Sequence, residues 1–152
     1  MSAELRTMKC EDYDQLYALW TRIKGFGIRS IDDTRANVER FLRRNPATSV
    51  VAVADGKVVG GILCGHDGRQ ASFYHVCVDP DYRRQGIGKR MVVFAMEALR
   101  QEEINKISLV AYKRNDIGNV FWNTIGWTRQ VDMHYYDFIL NQENITAFIK
   151  EG

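Results

Sequence analysis

The run Val78-Asp79-Pro80-Asp81-Tyr82-Arg83-Arg84-Gln85-Gly86-Ile87-Gly88-Lys89-Arg90 constrains this chain more than any other stretch. An apolar, strand-like segment (73–78) leads into it, and a long helical segment (87–103) leaves it. Pro80 ends the strand, because proline has no N–H to give to a ladder. Two glycines and the basic residues Arg83, Arg84, Lys89 and Arg90 then stand where the helix begins. A helix start presents unpaired backbone N–H groups and the positive end of the helix dipole. Glycine lets a ligand come close to the backbone. Strand, glycine turn, basic cluster and helix start together describe a site for a pyrophosphate-bearing ligand.

Two familiar phosphate motifs do not fit this run. A P-loop needs GxxxxGK[ST], but Arg83 stands at its first glycine and Arg90 at its hydroxyl position. The dinucleotide fingerprint GxGxxG fails at its third glycine, which is Met91. The pattern that fits is [QR]-x-x-G-x-[GA], met by Arg83, Gly86 and Gly88.

The flanking sequence predicts an α/β domain spanning residues 1–152. Leu16, Leu19, Trp20 and Ile23 recur at helical spacing after a short strand at 4–7. Residues 22–30 read as a loop, and a second helix starts at Asp33 with Val38, Phe41 and Leu42 inward. Asp55-Gly56 between valine-rich runs (49–54 and 57–64) is a hairpin signal. Asp67-Gly68 turns the chain into a third meander strand, 71–78. After the long helix come a strand (106–111) and a helix with Ile117, Val120, Phe121 and Ile125 as its inward stripe, stopped by Gly126. Alternation predicts final strands at 128–133 and 135–140, then a helical turn within 144–150. The order is β-α-α-β-β-β-α-β-α-β-β, a mixed sheet with helices on both faces.

Composition narrows the function. A net charge of +2 gives no general case for nucleic acid or membrane surfaces, and no apolar run is long enough to span a bilayer. The first residues are polar, so no signal peptide is expected. Cys10, Cys64 and Cys77 are an odd number without paired spacing, which points to reduced thiols in a cytoplasm and to no metal site.

The element order, the Gly65-His66-Asp67-Gly68 turn, the Leu19-Trp20 helix and V-D-P-D-Y-R ahead of R-x-x-G-x-G resemble the GCN5-related N-acetyltransferases over essentially the whole chain. The small bacterial YpeA-like and RimI-like acetyltransferases look most similar. The resemblance implies a mostly antiparallel sheet of about seven strands and acetyl-CoA as cosubstrate. It implies pyrophosphate contacts from the loop Arg83, Arg84, Gln85, Gly86, Ile87, Gly88 and Lys89. It also implies strand-like pairing of the pantetheine arm with Val76, Cys77 and Val78. In the family pattern N-x-x-A-x-x-[LF]-Y, Asn115 and Gly118 match the residues beside that arm. Trp122 stands where the family has the tyrosine acid. It either hydrogen-bonds the leaving thiolate or packs.

The implied reaction is direct attack by a primary amine, of a small molecule or a peptide, on the thioester. A general base assists, and His75 is the candidate on the fourth strand; water alone is the alternative. Cys77 reads as a small buried hydrophobe. The basic residues Arg22, Lys24 and Arg29 would favour a carboxylate-bearing acceptor. The final strands could pair in a homodimer. A non-catalytic acetyl-CoA sensor is the alternative function.

Overall fold

The computed structural model describes residues 2–150 and grows outward from the hairpin at Asp55-Gly56. Both turn residues have positive φ (52° and 76°). That is the backbone a two-residue hairpin needs to match the twist of its strands. The turn joins β3, Val50–Ala54, to β4, Lys57–His66. A second turn follows, with Asp67 Oδ1 accepting from the amides of Arg69 and Gln70, and leads into β5, Ala71–Val78. β1, which is Glu4–Thr7 in the structure, pairs antiparallel with β3. β6, Ile107–Ser108, pairs parallel with β5. The sheet order is β1-β3-β4-β5-β6, antiparallel except at its last pair.

Helices cover both faces. On one face α1 (Tyr13–Arg22) and α2 (Arg35–Arg44) bury Leu16, Leu19, Trp20, Val38 and Leu42 against Val51, Val58, Leu63 and Cys77. Thr34 caps α2 by accepting from the Asn37 amide, one of the four donors a helix start leaves unpaired. On the other face α3 (Ile87–Gln101) lays Ile87, Met91, Val92, Ala95 and Leu99 on Val50, Ala52, Val59 and Ile62. Each such side chain contributes roughly 1.5–3 kcal/mol by leaving water. Gly61 is what lets α1 lie so close to β4, since a Cβ there would come 2.8 Å from Leu16 Cδ2.

The mixed α/β sheet agrees with the sequence reading, and three parts of it do not. First, the central sheet has five strands, with a separate pair made by β2 (Gly27–Arg29) and β7 (Thr146–Phe148). β2 lies inside the stretch read as a loop, and β7 inside the stretch read as a helical turn. Three-residue strands are too short to show a period. Second, residues 128–133 and 135–140 form no strand. Alternation needs a ladder to become a strand, and β6 offers only two paired residues. Third, the inward face of α4 (Asp116–Thr124) is Phe121, Trp122 and Ile125, while Ile117 and Val120 are exposed. The predicted stripe was rotated around the helix.

Candidate active site

Local hydrogen bonds build the segment between β5 and α3. Asp79, 1% exposed, accepts from the Asp81 amide at Oδ1 (2.9 Å), and its carbonyl accepts from the Tyr82 amide (2.8 Å). This shapes a single 3-10 turn, Pro80–Tyr82, with Pro80 where a missing N–H costs nothing. Arg22, closing α1, donates from Nη1 to Asp79 Oδ2 at 2.6 Å and sits 3.5 Å from Asp81. The Tyr82 hydroxyl donates to Asp55 (3.1 Å) and its ring lies under the Lys57 ammonium, tying the segment to the β3–β4 turn.

Beyond that turn the backbone opens. Arg84 and Gly86 are left-handed, at φ 64° and 77°. Gly86 is the N-cap of α3 and supplies no side-chain acceptor, so the first-turn N–H groups lack a side-chain cap. A Cβ on Gly86 would touch nothing within 4 Å. Arg83, Arg84, Gln85 and Lys89 are exposed around these donors, whereas Ile87 is buried in the core. Uncapped amides, open space and guanidinium groups fit a diphosphate. Gly88 has a different place. A Cβ on it would lie 3.2 Å from the Phe121 ring, so its bareness lets α4 approach α3.

Next to this loop, β5 has a free edge. Its pairing with β6 ends at Ser72–Ser108. Val76, Cys77 and Val78 therefore lie on a stretch whose outer side carries no strand among the described residues. An extended amide-bearing arm can add to such an edge as a strand does. Burial pushes the Cys77 thiol up to about 12, so it stays protonated and is no nucleophile at neutral pH.

The other face of β5 carries the titratable groups. Leu63 pairs with Tyr74 and Gly61 with Cys77, so an extra β5 residue sits between them. That bulge holds His75 at φ 50°. A bulge reverses which side chains face which way. Ala71 and Phe73 face α3 before it, as do Val76 and Val78 after it. Tyr74 and His75 both turn toward α1 and α2, where Tyr74 meets Phe41. His75 packs against the side of the stacked Trp20 and Phe26 rings, at 4.7 and 4.9 Å between centroids. Its Nε2 is 2.9 Å from Asp33 Oδ1, and Asp33 Oδ2 accepts from the Arg29 amide at 2.7 Å. His75 Nδ1 makes no hydrogen bond to a described residue. Tyr13 donates its hydroxyl to the Asp33 carbonyl at 2.6 Å.

Sequence reasoning missed Asp33, Trp20 and Phe26 as neighbours of His75. Asp33 read only as a helix start. The one available signal is that Asp32-Asp33-Thr34 holds more acceptors than one cap requires. The basic loop is also different from the reading. Arg22 is paired with Asp79 and Asp81, and Arg29 Nε lies 2.9 Å from Asp32, close enough for an ion pair though not aligned for a hydrogen bond. Of the three, Lys24 alone has no ion pair with a described residue.

On α4, Asn115 Oδ1 accepts from the Gly118 amide at 3.1 Å, so Asn115 caps the helix. A Cβ on Gly118 would sit 2.4 Å from Asn115 Nδ2, so the glycine makes room for that cap. Trp122 lies in an aromatic cluster with Phe121, Trp127 and Phe73, at 4.9, 4.6 and 6.3 Å. Among the described residues no three His, Cys, Asp or Glu groups are placed to hold a metal ion, and no helix is long and apolar enough to cross a membrane.

A mixed sheet whose parallel pair leaves part of β5 unpaired thus stands beside a helix start without a side-chain cap. The chain belongs to the acetyltransferase (GNAT) family, whose profile matches residues 13–127. An acetyltransferase of Sodalis glossinidius is 32% identical over 113 residues, 74% of this chain and 78% of the relative. Among solved structures, the PaiA N-acetyltransferase of Thermoplasma acidophilum in complex with coenzyme A superposes with a TM-score of 0.73 at 17% identity, over 96% of this chain and 97% of the other. An aminoglycoside acetyltransferase from an uncultured soil metagenomic sample gives 0.68 at 20% identity, over 91% and 97%.

Proposed function

We propose that this acetyltransferase transfers the acetyl group of acetyl-CoA to a primary amine by direct attack, with His75 as general base. The observation that carries the reading is the conjunction at β5. One edge of the strand is open beside the bare α3 N-terminus, and the same strand turns an imidazole with a bare Nδ1 toward the α1–α2 side. Backbone amides of Arg84 to Lys89 would hold the diphosphate, and the 76–78 edge would hold the pantetheine arm.

A lysine-type amine has a pKa of about 10 and is protonated at neutral pH. His75 would take the proton that masks its lone pair. The new N–C bond forms as the C–S bond breaks, and the acylated nitrogen loses its second proton to solvent. Trp122, packed among Phe73, Phe121 and Trp127, serves the aromatic cluster in this reading, and water protonates the thiolate. With Arg22 and Arg29 paired to carboxylates, support for an acidic acceptor in this reading reduces to Lys24.

The test is acetyl-CoA consumption across a panel of polyamines, aminoglycosides, amino acids and peptides. Turnover with product mass increased by one acetyl group supports the reading. Tight acetyl-CoA binding with no turnover on any amine would leave a sensor instead.

A further inference from the structure

Resting on that reading of His75, we infer that Asp33 is a positioning residue for the reaction: it holds the imidazole with its proton on Nε2, so that Nδ1 is the basic nitrogen offered to the amine. Three observations carry this. The Asp33 carboxylate is only an acceptor, so a neutral His75 facing it across 2.9 Å must donate from Nε2. The carboxylate cannot turn away, because its other oxygen accepts from the Arg29 amide at 2.7 Å. Asp33 is also buried, and the imidazole packs against the stacked Trp20 and Phe26 rings. These contacts favour one orientation of the dyad.

This arrangement makes Asp33→Asn unusually informative. The Arg29 amide is a donor, so the introduced carboxamide must turn its only oxygen toward it. Its NH₂ group then faces His75 Nε2. Two donors cannot face each other, so Nε2 must become the acceptor and the imidazole proton must move to Nδ1. The variant keeps size, shape and hydrogen-bond count while putting the proton on the nitrogen that should accept one. A purely structural Asp33 would give the same change of tautomer without a loss of turnover.

The segment bearing Asp33 is itself held by side chains from far along the chain. Asn144 Oδ1 accepts from the amides of Ile31 and Asp32, and Asn144 Nδ2 donates to Asp32. Ser30 Oγ donates to the Glu143 carbonyl and accepts from the Ile145 amide.

The first experiment uses the unmodified protein. A ¹⁵N histidine ring spectrum of neutral His75, assigned by the loss of its signals in His75→Gln, should show protonated Nε2 and bare Nδ1. The opposite tautomer would overturn the inference without any variant at the position having to fold. In Asp33→Asn the spectrum should invert. Its kcat should fall by roughly 10²-fold or more, the scale of losing a general base, with KM for acetyl-CoA within twofold. The double variant Asp33→Asn/His75→Gln should be no slower than His75→Gln. An Asp33→Asn enzyme with kcat within threefold of the parent sinks the inference. If His75→Gln itself keeps full turnover, His75 is no base and the proposed mechanism fails first.

Discussion

The two sides of β5 are built by opposite means. The side proposed to hold acetyl-CoA is one contiguous stretch, 76–89, and its parts are backbone: an open strand edge, a left-handed Gly86 and amides without a side-chain cap. The side proposed to meet the acceptor is made of side chains from α1, the 26–33 loop, the β5 bulge and, through Asn144, the last strand region. Backbone geometry tolerates many side chains, so the first side should resist substitution except at the glycine. Side-chain geometry does not, so the second should fail at single atoms.

The sharpest break in this contrast is expected at His75. His75→Gln can still donate to Asp33 and so keeps the packing. Steady-state kinetics should show kcat lower by roughly 10²–10⁴-fold. Calorimetric titration should give unchanged acetyl-CoA affinity. A loss below threefold would mean that water at the strand edge suffices as base.

A smaller effect is expected on the other side, at Gly86. Gly86→Asp places a carboxylate among the donors meant for a diphosphate, at a backbone φ of 77°. Acetyl-CoA affinity should drop by about 1.5–3 kcal/mol, the worth of a charge-assisted hydrogen bond. With saturating acetyl-CoA, kcat should stay within threefold. Unchanged affinity in a folded variant would remove the loop from the binding site.

Arg22 tests whether the two sides are independent, because it runs from the end of α1 to the buried Asp79 that starts the loop. Arg22→Gln should leave Asp79 short of its charged partner and cost about 1–3 kcal/mol in urea denaturation. Acetyl-CoA affinity and acceptor KM should both worsen. A change in one alone would show that the sides are not coupled through this pair.

The least effect is expected at Cys77. Burial pushes its thiol, and that of Cys64, up to about 12. Neither should react with iodoacetamide at pH 8 until the chain unfolds. Cys77→Ala should cost about 1 kcal/mol, as for one buried methylene, with turnover unchanged.

The same contrast decides what could be read before the fold was known. The loop was legible because strand, proline, glycine and helix start are neighbours in sequence and each acts locally. The Asp55-Gly56 turn and the core faces of α1 and α2 were legible for the same reason. The His75–Asp33 contact was not, since it joins residues 42 apart through a bulge that plain alternation does not reveal. Nor were β2 and β7, which are only three residues long and whose paired residues, such as Arg29 and Thr146, lie far apart in sequence. The α4 stripe failed because Phe121, Trp122 and Trp127 gather around Phe73, and bulk outweighed the period that Ile117 and Val120 suggested.

The pairing of β2 with β7 bears on the order in which a ribosome delivers this protein. The loop and the strand edge proposed to hold acetyl-CoA have been synthesised once α3 is complete. The segment carrying Asp33 acquires its clamp only when Asn144 and Thr146–Phe148 emerge and close a loop of more than a hundred residues. Closing so long a loop is slow relative to local steps. The nascent chain should therefore be able to bind its acyl carrier before its acceptor side is set. Limited proteolysis of stalled chains should find the 79–101 region protected while 26–33 is still cut.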